Sequence, residues 1–194
     1  MKDLRPAVFL DRDGTLTAEA DWVRSEADIA LLPSAADAVA LLTEAGFAVV
    51  VATNQSAVAR GIVTEERLAE IHAHMVRELE RKGGRVAGVF ACPHHPTEGR
   101  PPYRRTCDCR KPKPGMLLDA ARDLGLDLER SWVVGDAARD LEAGSAVGVP
   151  GVLVATGKGA SEYERLAIEG RPPARFEPDV LAAARAIAAH RRSV

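Results

Sequence analysis

The feature that most constrains this chain is a repeating order: a short apolar run, a polar cluster directly after it, then a stretch with helical periodicity. The apolar runs are Ala7–Leu10, Phe47–Thr53 (FAVVVAT), Val86–Ala91, Ser131–Gly135 (SWVVG) and Gly151–Val154. Runs this short and this uniformly apolar suit strands buried on both faces, as in a parallel sheet. Helical patterns alternate with them. One starts at Ser34, a plausible N-cap, and runs through AADAVALLTEA to Gly46; another is capped by Thr64 and reaches about Arg81. Glu65 and Glu66 occupy the first turn of the latter, where the helix dipole favours acids. Further helices are expected from Pro114 to near Gly125, near Arg139–Ala143, and over Glu177–His190. The alternation predicts an α/β fold with a central parallel sheet, in one domain over residues 1–194.

Composition narrows the function classes. Of 194 residues, 46% are hydrophobic and 28% charged, and the formal net charge of −2 leaves no electrostatic footprint for nucleic acid or an anionic membrane. No apolar run reaches the length of a membrane span, and the N-terminal MKDLRPAVFLDRDG lacks a signal-like core, so a cytoplasmic location is expected. A monomer acting on a small molecule is the expected state. A dinucleotide enzyme does not fit, because no GxGxxG follows the first strand.

In such sheets the ligand sits beyond the carboxyl ends of the strands, where strand order reverses. The clusters Asp11–Thr15, Thr53–Ser56, Cys92–His95 and Gly135–Asp136 all follow strands directly and should gather on that edge. In Asp11-Arg12-Asp13-Gly14-Thr15, two acids two residues apart point the same way if the backbone stays extended, and Gly14 permits a sharp turn. Two converging carboxylates need a cation or a shared proton, and Mg²⁺ prefers oxygen ligands. One acid can attack phosphorus while the other exchanges protons with the leaving group and water. A solvated turn is the competing reading of this segment alone. Thr53-Asn54-Gln55-Ser56 offers a hydroxyl and backbone N–H groups to phosphate oxygens. Arg110, Lys111 and Lys113 precede a helix start, where a lysine can neutralise a transferring phosphoryl group. Asp136 is a candidate metal ligand or helix cap, and Asp140, one turn on, can orient a lysine or backbone. His72 and His74 read as surface residues, Trp132 as core, and His190 with Arg191 and Arg192 as a solvated tail.

Taken in order, these segments resemble the haloacid dehalogenase superfamily of phosphatases. DRDGT resembles its first motif, which implies Asp11 as nucleophile and Asp13 as general acid/base. Thr53 matches the second motif, Lys111 the third, and Asp136 with Asp140 the fourth. The resemblance implies a Rossmann-like doubly wound sheet and Mg²⁺ held by Asp11, Asp13 and Asp136.

The stretch from Cys92 to Lys113 has no periodicity, and a loop of that length needs something to hold it. Cys92, His94, Cys107 and Cys109 form a set suited to tetrahedral, structural Zn²⁺, with His95 as the fallback for His94. A set of free buried thiols is the alternative. The zinc loop spans about residues 92–109. CPHHP…CDCRKPKPGM with TNQSAVARG resembles the branch of the superfamily that holds heptose-bisphosphate and histidinol phosphatases, which lack a large cap domain. That likeness implies release of the 7-phosphate from a heptose 1,7-bisphosphate in nucleotide-heptose synthesis, or action on histidinol phosphate. It implies substrate contacts from Arg110, from Asn54, Gln55 and Ser56, and from a flap that includes Glu19, Asp21 and Trp22. One departure stands out: the residue after Asp136, usually lysine in that branch, is Ala137. A zinc-stabilised binding protein on the same scaffold is the reading from another class.

Overall fold

The computed structural model describes residues 4–192. Its core is a six-stranded sheet in the order β3-β2-β1-β4-β5-β6, with every pair parallel. The strands are β1 (Arg5–Leu10), β2 (Ala48–Asn54), β3 (Val86–Cys92), β4 (Leu126–Gly135), β5 (Gly151–Val154) and β6 (Phe176–Glu177). The helices are α1 (Ala35–Glu44), α2 (Glu65–Glu80), α3 (Gly115–Leu124), α4 (Ala138–Ser145), α5 (Gly159–Ile168) and α6 (Val180–Arg192). The doubly wound sheet expected from the alternation is present. Among the described residues no helix is long and apolar enough to cross a membrane.

Alternate residues of each strand feed opposite layers. Val8, Leu10, Val49, Val51 and Val134 pack against α1, α2 and α6 through Val39, Met75 and Ile187. Ala7, Phe9, Val50, Ala52 and Val133 pack against α3 through Met116, Leu117 and Ala120. With apolar layers on both sides, the strand residues are apolar at nearly every position until the chain leaves the sheet. Polar side chains become affordable only at the carboxyl ends.

Several elements differ from expectation. Strand β4 begins five residues earlier than Ser131, because Leu126 is buried at its start while Glu129 and Arg130 stay exposed. Helix α5 and the two-residue β6 carry no clear periodicity, and only Gly159 and Leu166 of α5 are buried. Helix α6 starts at Val180 rather than Glu177, which pairs in β6. Thr64 caps α2 as expected, its hydroxyl accepting from the Arg67 N–H at 3.1 Å, whereas the Ser34 side chain makes no capping bond.

Strand β1 has β2 on one side and β4 on the other, so chain order reverses at the β1–β4 boundary. Asp11 and Asp136 emerge at that crevice. Two segments lie over this edge, residues 12–34 and 92–114, and no separate cap domain is inserted among the described residues.

Candidate active site

Asp11 is seated by its backbone N–H, which donates to the Val134 carbonyl at 3.0 Å and ties the end of β1 to β4. Its side chain is almost fully buried, and its two oxygens differ. Oδ1 accepts from the Arg12 N–H at 2.7 Å and lies 2.9 Å from Lys111 Nζ. Arg139 Nη2 lies 3.9 Å from Oδ2. Lys111 Nζ also lies 2.7 Å from Asp140 Oδ1 and donates to the Ala52 carbonyl at 2.6 Å. Burial disfavours the lysine's charge, yet Asp11 and Asp140 together outweigh it and hold the pKa above its ordinary value. The Lys111 main chain is clamped by Asn54, whose amide donates to its carbonyl at 3.0 Å and accepts from its N–H at 3.1 Å.

Asp13 faces another set of partners. Arg12 reaches it with Nε at 2.9 Å from Oδ1 and Nη2 at 3.0 Å from Oδ2, and the Gln55 amide donates to Oδ2 at 2.9 Å. Gln55 also donates to the Thr53 hydroxyl at 2.9 Å, which draws the second cluster onto the first. The acids that converge are Asp11, Asp136 and Asp140, with carboxylate oxygens within 4.8 Å of one another. The carboxylate of Asp13, expected in the magnesium set, is instead held by Arg12 and Gln55 and stands outside this group.

Asp136 is fully buried. Its Oδ2 accepts from the Lys158 N–H at 2.9 Å, while Oδ1 has no hydrogen-bond partner. Burial, reinforced by the charges of Asp11 and Asp140 and opposed by the Lys158 N–H, pushes its pKa to about 7. An orphaned carboxylate oxygen beside Asp11 is the arrangement a hard cation satisfies, so these residues fit Mg²⁺. Gly14 is required here: its φ is +77°, and a Cβ would strike the Asp136 carboxylate. Asp136 does not cap α4; the Ala137 N–H donates to Asp140 Oδ2 at 3.1 Å.

Above Asp11 opens a cleft of about 370 Å³. Asp13, Glu19, Asp21, Trp22, Asn54, Gln55, Ser56 and Arg110, all expected at the site, line it. Thr53 is buried beneath. Trp22 packs on the Ala57–Val58 cluster with the Arg60 guanidinium 5.0 Å from its ring centroid. Lining the cleft but not foreseen are Arg12, Arg139 and Lys158, the last paired with Glu19 at 2.9 Å. Ala137 is buried and brings no charge, so Arg139 is the cation that α4 offers.

In the expected zinc loop, Cys92, His94, Cys107 and Cys109 converge within 4.8 Å. The Sγ atoms are 3.3–3.6 Å apart, and His94 Nδ1 lies 3.3 Å from Cys109 Sγ and 3.8 Å from Cys92 Sγ. Ligands about 2.3 Å from a central ion in tetrahedral array are separated by roughly 3.5–3.8 Å, so this set fits Zn²⁺. His95 is turned elsewhere and accepts at Nδ1 from the Glu98 N–H at 2.9 Å. Cys109 adjoins Arg110, which donates to the His94 carbonyl at 2.9 Å.

His72 corrects the surface reading. It is 6% exposed, and its Nε2 lies 3.1 Å from Arg12 Nη1. The signal was present: Leu68, Ile71, Met75 and Leu79 form the buried stripe of α2, and position 72 lies on that stripe. Arg139 and Lys158 had no such signal. Trp132 is core as expected, and His190 meets its ring edge-on with centroids 5.4 Å apart rather than standing in a free tail.

The chain is similar to proteins already known. The HAD-hydrolase-like family matches residues 108–186. The chain is 42% identical over 154 residues to a D-glycero-beta-D-manno-heptose-1,7-bisphosphate 7-phosphatase of Photorhabdus laumondii, covering 79% of this chain and 82% of that one. The enzyme of the same name from Pseudomonas putida is 43% identical over 159 residues, covering 81% and 87%. A crystal structure of D,D-heptose 1,7-bisphosphate phosphatase from B. bronchiseptica, complexed with magnesium and phosphate, is 40% identical and superposes with a TM-score of 0.82 over 95% of this chain and 99% of that one.

Proposed function

The chain belongs to the HAD-like phosphatases, in the branch of the heptose-bisphosphate 7-phosphatases, and from that premise we propose that it removes the 7-phosphate of D-glycero-β-D-manno-heptose 1,7-bisphosphate. The observation that carries this reading is the asymmetry of Asp11. Its Oδ1 is held by Lys111 and the Arg12 N–H, which leaves Oδ2, on the side of the cleft-lining Arg139, as the attacking atom.

Attack by Oδ2 forms an acyl-phosphate bond as the bond between phosphorus and the sugar oxygen breaks. Asp13 gives its proton to that oxygen. Water then attacks phosphorus, Asp13 takes up a proton from it, and phosphate leaves Asp11 as a carboxylate. Lys111 neutralises Asp11 throughout, and Asp140 keeps the ammonium in place. Mg²⁺, held by Asp11 and Asp136, would supply positive charge against the transferring phosphoryl oxygens. Zn²⁺ in the cysteine set would fix the loop that presents Arg110 and Lys111.

With Lys158 paired to Glu19 and Arg12 to Asp13, the lining keeps Arg110 and Arg139 against Asp21, a small excess of cations suited to a substrate with a second phosphate. Histidinol phosphate, with one phosphate and a cationic amine, meets that lining less favourably. Phosphate release measured with Mg²⁺ on both heptose bisphosphate anomers, fructose 1,6-bisphosphate and histidinol phosphate tests the reading. The β-heptose substrate is expected to show the highest kcat/KM, and a preference for histidinol phosphate would overturn the assignment. A phosphate yield at background level on all of them would point to a binding protein.

A further inference from the structure

Arg12 is 2% exposed, the most deeply buried arginine among the described residues. Its Nε and Nη2 are spent on Asp13, in a two-point contact that fixes the carboxylate's plane. A guanidinium offers donors only, so the remaining nitrogen, Nη1, needs an acceptor in this dry surrounding. His72 Nε2, on α2, lies 3.1 Å away and is the side-chain acceptor the structure provides. Accepting there requires the ring proton on Nδ1. Burial, and then the Arg12 charge, lowers the His72 pKa to about 3, which keeps the imidazole neutral.

We infer that His72 is a positioning residue, fixing Arg12 through Nε2 and thereby the orientation of Asp13 toward the leaving oxygen. The inference rests on the proposed role of Asp13 as general acid. The link runs from a helix that supplies no group to the cleft, through one buried cation, to the proton donor. Gln55 holds the opposite side of the same carboxylate, so the two contacts together fix it from both flanks.

A misaligned acid slows substrates according to how much their leaving group needs a proton. The test compares D-glycero-β-D-manno-heptose 1,7-bisphosphate, which expels a poor alkoxide leaving group, with 4-nitrophenyl phosphate, which expels a good one. For Mg²⁺-loaded His72→Leu, kcat/KM on the sugar, which reports the step that expels the leaving group and not the later attack of water, is expected to fall about 10-fold or more, with kcat/KM on the aryl substrate within about 2-fold of the parent. His72→Gln, which can place an acceptor oxygen near the Nε2 position, should recover most of the loss. Equal losses of kcat/KM on both substrates, or no recovery in a folded His72→Gln, would overturn the inference. A readout on the unaltered protein stands beside these: ¹⁵N–¹H NMR at pH 7 should show His72 protonated on Nδ1 and bare on Nε2. The opposite tautomer would sink the idea even where His72→Leu fails to fold. Asp13→Asn separates this from the parent reading. If that variant keeps its sugar rate, the assignment of Asp13 itself fails; if it loses the rate while His72→Leu treats both substrates alike, only the relay fails.

Discussion

Lys111 Nζ lies 2.9 Å from Asp11 Oδ1, a buried ion pair joining the end of β1 to the loop before α3. The loop has little apolar content, so its lysine arrives only because other contacts deliver it: Asn54 grips its main chain and Asp140 shares its charge. Removing one partner of a buried pair leaves the other charge uncompensated, at a cost of about 3–5 kcal/mol. Lys111→Met is therefore expected to lose roughly that much stability in urea unfolding and to abolish phosphate release. An unfolding midpoint equal to the parent's would show that the pair is not buried as described.

Asp11→Asn keeps the shape of the side chain but not its nucleophilicity. A loss of about 10³-fold or more in kcat is expected, with the circular dichroism spectrum unchanged. Rapid-quench experiments on the parent should trap a phosphoryl group on Asp11 within one turnover. A trapped group on any other residue would contradict the assignment.

His72 makes stability depend on acid. Its folded pKa of about 3 lies below the ordinary value of 6.5, so below pH 6.5 the unfolded chain binds a proton that the native protein does not. Stability contributed by this group is thus present above pH 6.5 and lost as pH falls toward 3. The slope approaches about 1.4 kcal/mol per pH unit. Unfolding free energies at pH 7, 6 and 5 should show that slope in the parent and a shallower one in His72→Gln; parallel slopes would mean that the ring is not shielded.

Much of this is legible in the sequence, for a physical reason. Strands buried on both faces must be apolar, so the first polar residue after each, Asp11 or Asp136, marks both the strand end and the site edge. Residues acting from within loops had no comparable marker; Cys92, His94, Cys107 and Cys109 stood out only because their chemistry is rare. Helix α5 was illegible because its face is mostly solvated, with Leu166 its one buried large side chain. His72 shows its burial by its position on the apolar stripe of α2, and its polar type hides it. Arg139 had no signal at all, since its role depends on how α4 is aimed.

The four candidate zinc ligands adjoin two residues of the candidate site, Cys109 directly preceding Arg110 and Lys111. Without an ion, burial and mutual proximity push the Cys92 and Cys109 thiols up, so the set is unfavourable as bare thiolates. Stripping zinc with a chelator and restoring Mg²⁺ in excess should raise hydrogen exchange across residues 92–114 and lower kcat about 10-fold or more, with recovery on adding zinc. A zinc-free sample with full protection and full activity would rule out the structural ion.

Arg139 is the cation that α4 offers to the cleft. The family resemblance implies a lysine after Asp136; here that position is the buried Ala137, and the cation comes two residues later. Arg139 Nη2 is 3.9 Å from Asp11 Oδ2, and its buried Nε has no partner, so the guanidinium has capacity to spare for an anion entering the cleft. A charge-assisted contact is worth about 1.5–3 kcal/mol, or roughly 10- to 100-fold in binding. Arg139→Ala should therefore raise KM for the heptose bisphosphate by about 10-fold or more, and the effect should shrink for a substrate with a single phosphate. Adding Ala137→Lys to that variant restores a cation from the neighbouring position and should bring KM back toward the parent value. If KM rises equally for mono- and bisphosphates, Arg139 serves the transferring phosphoryl group; if it does not rise at all, Arg110 and Lys158 suffice to hold the substrate.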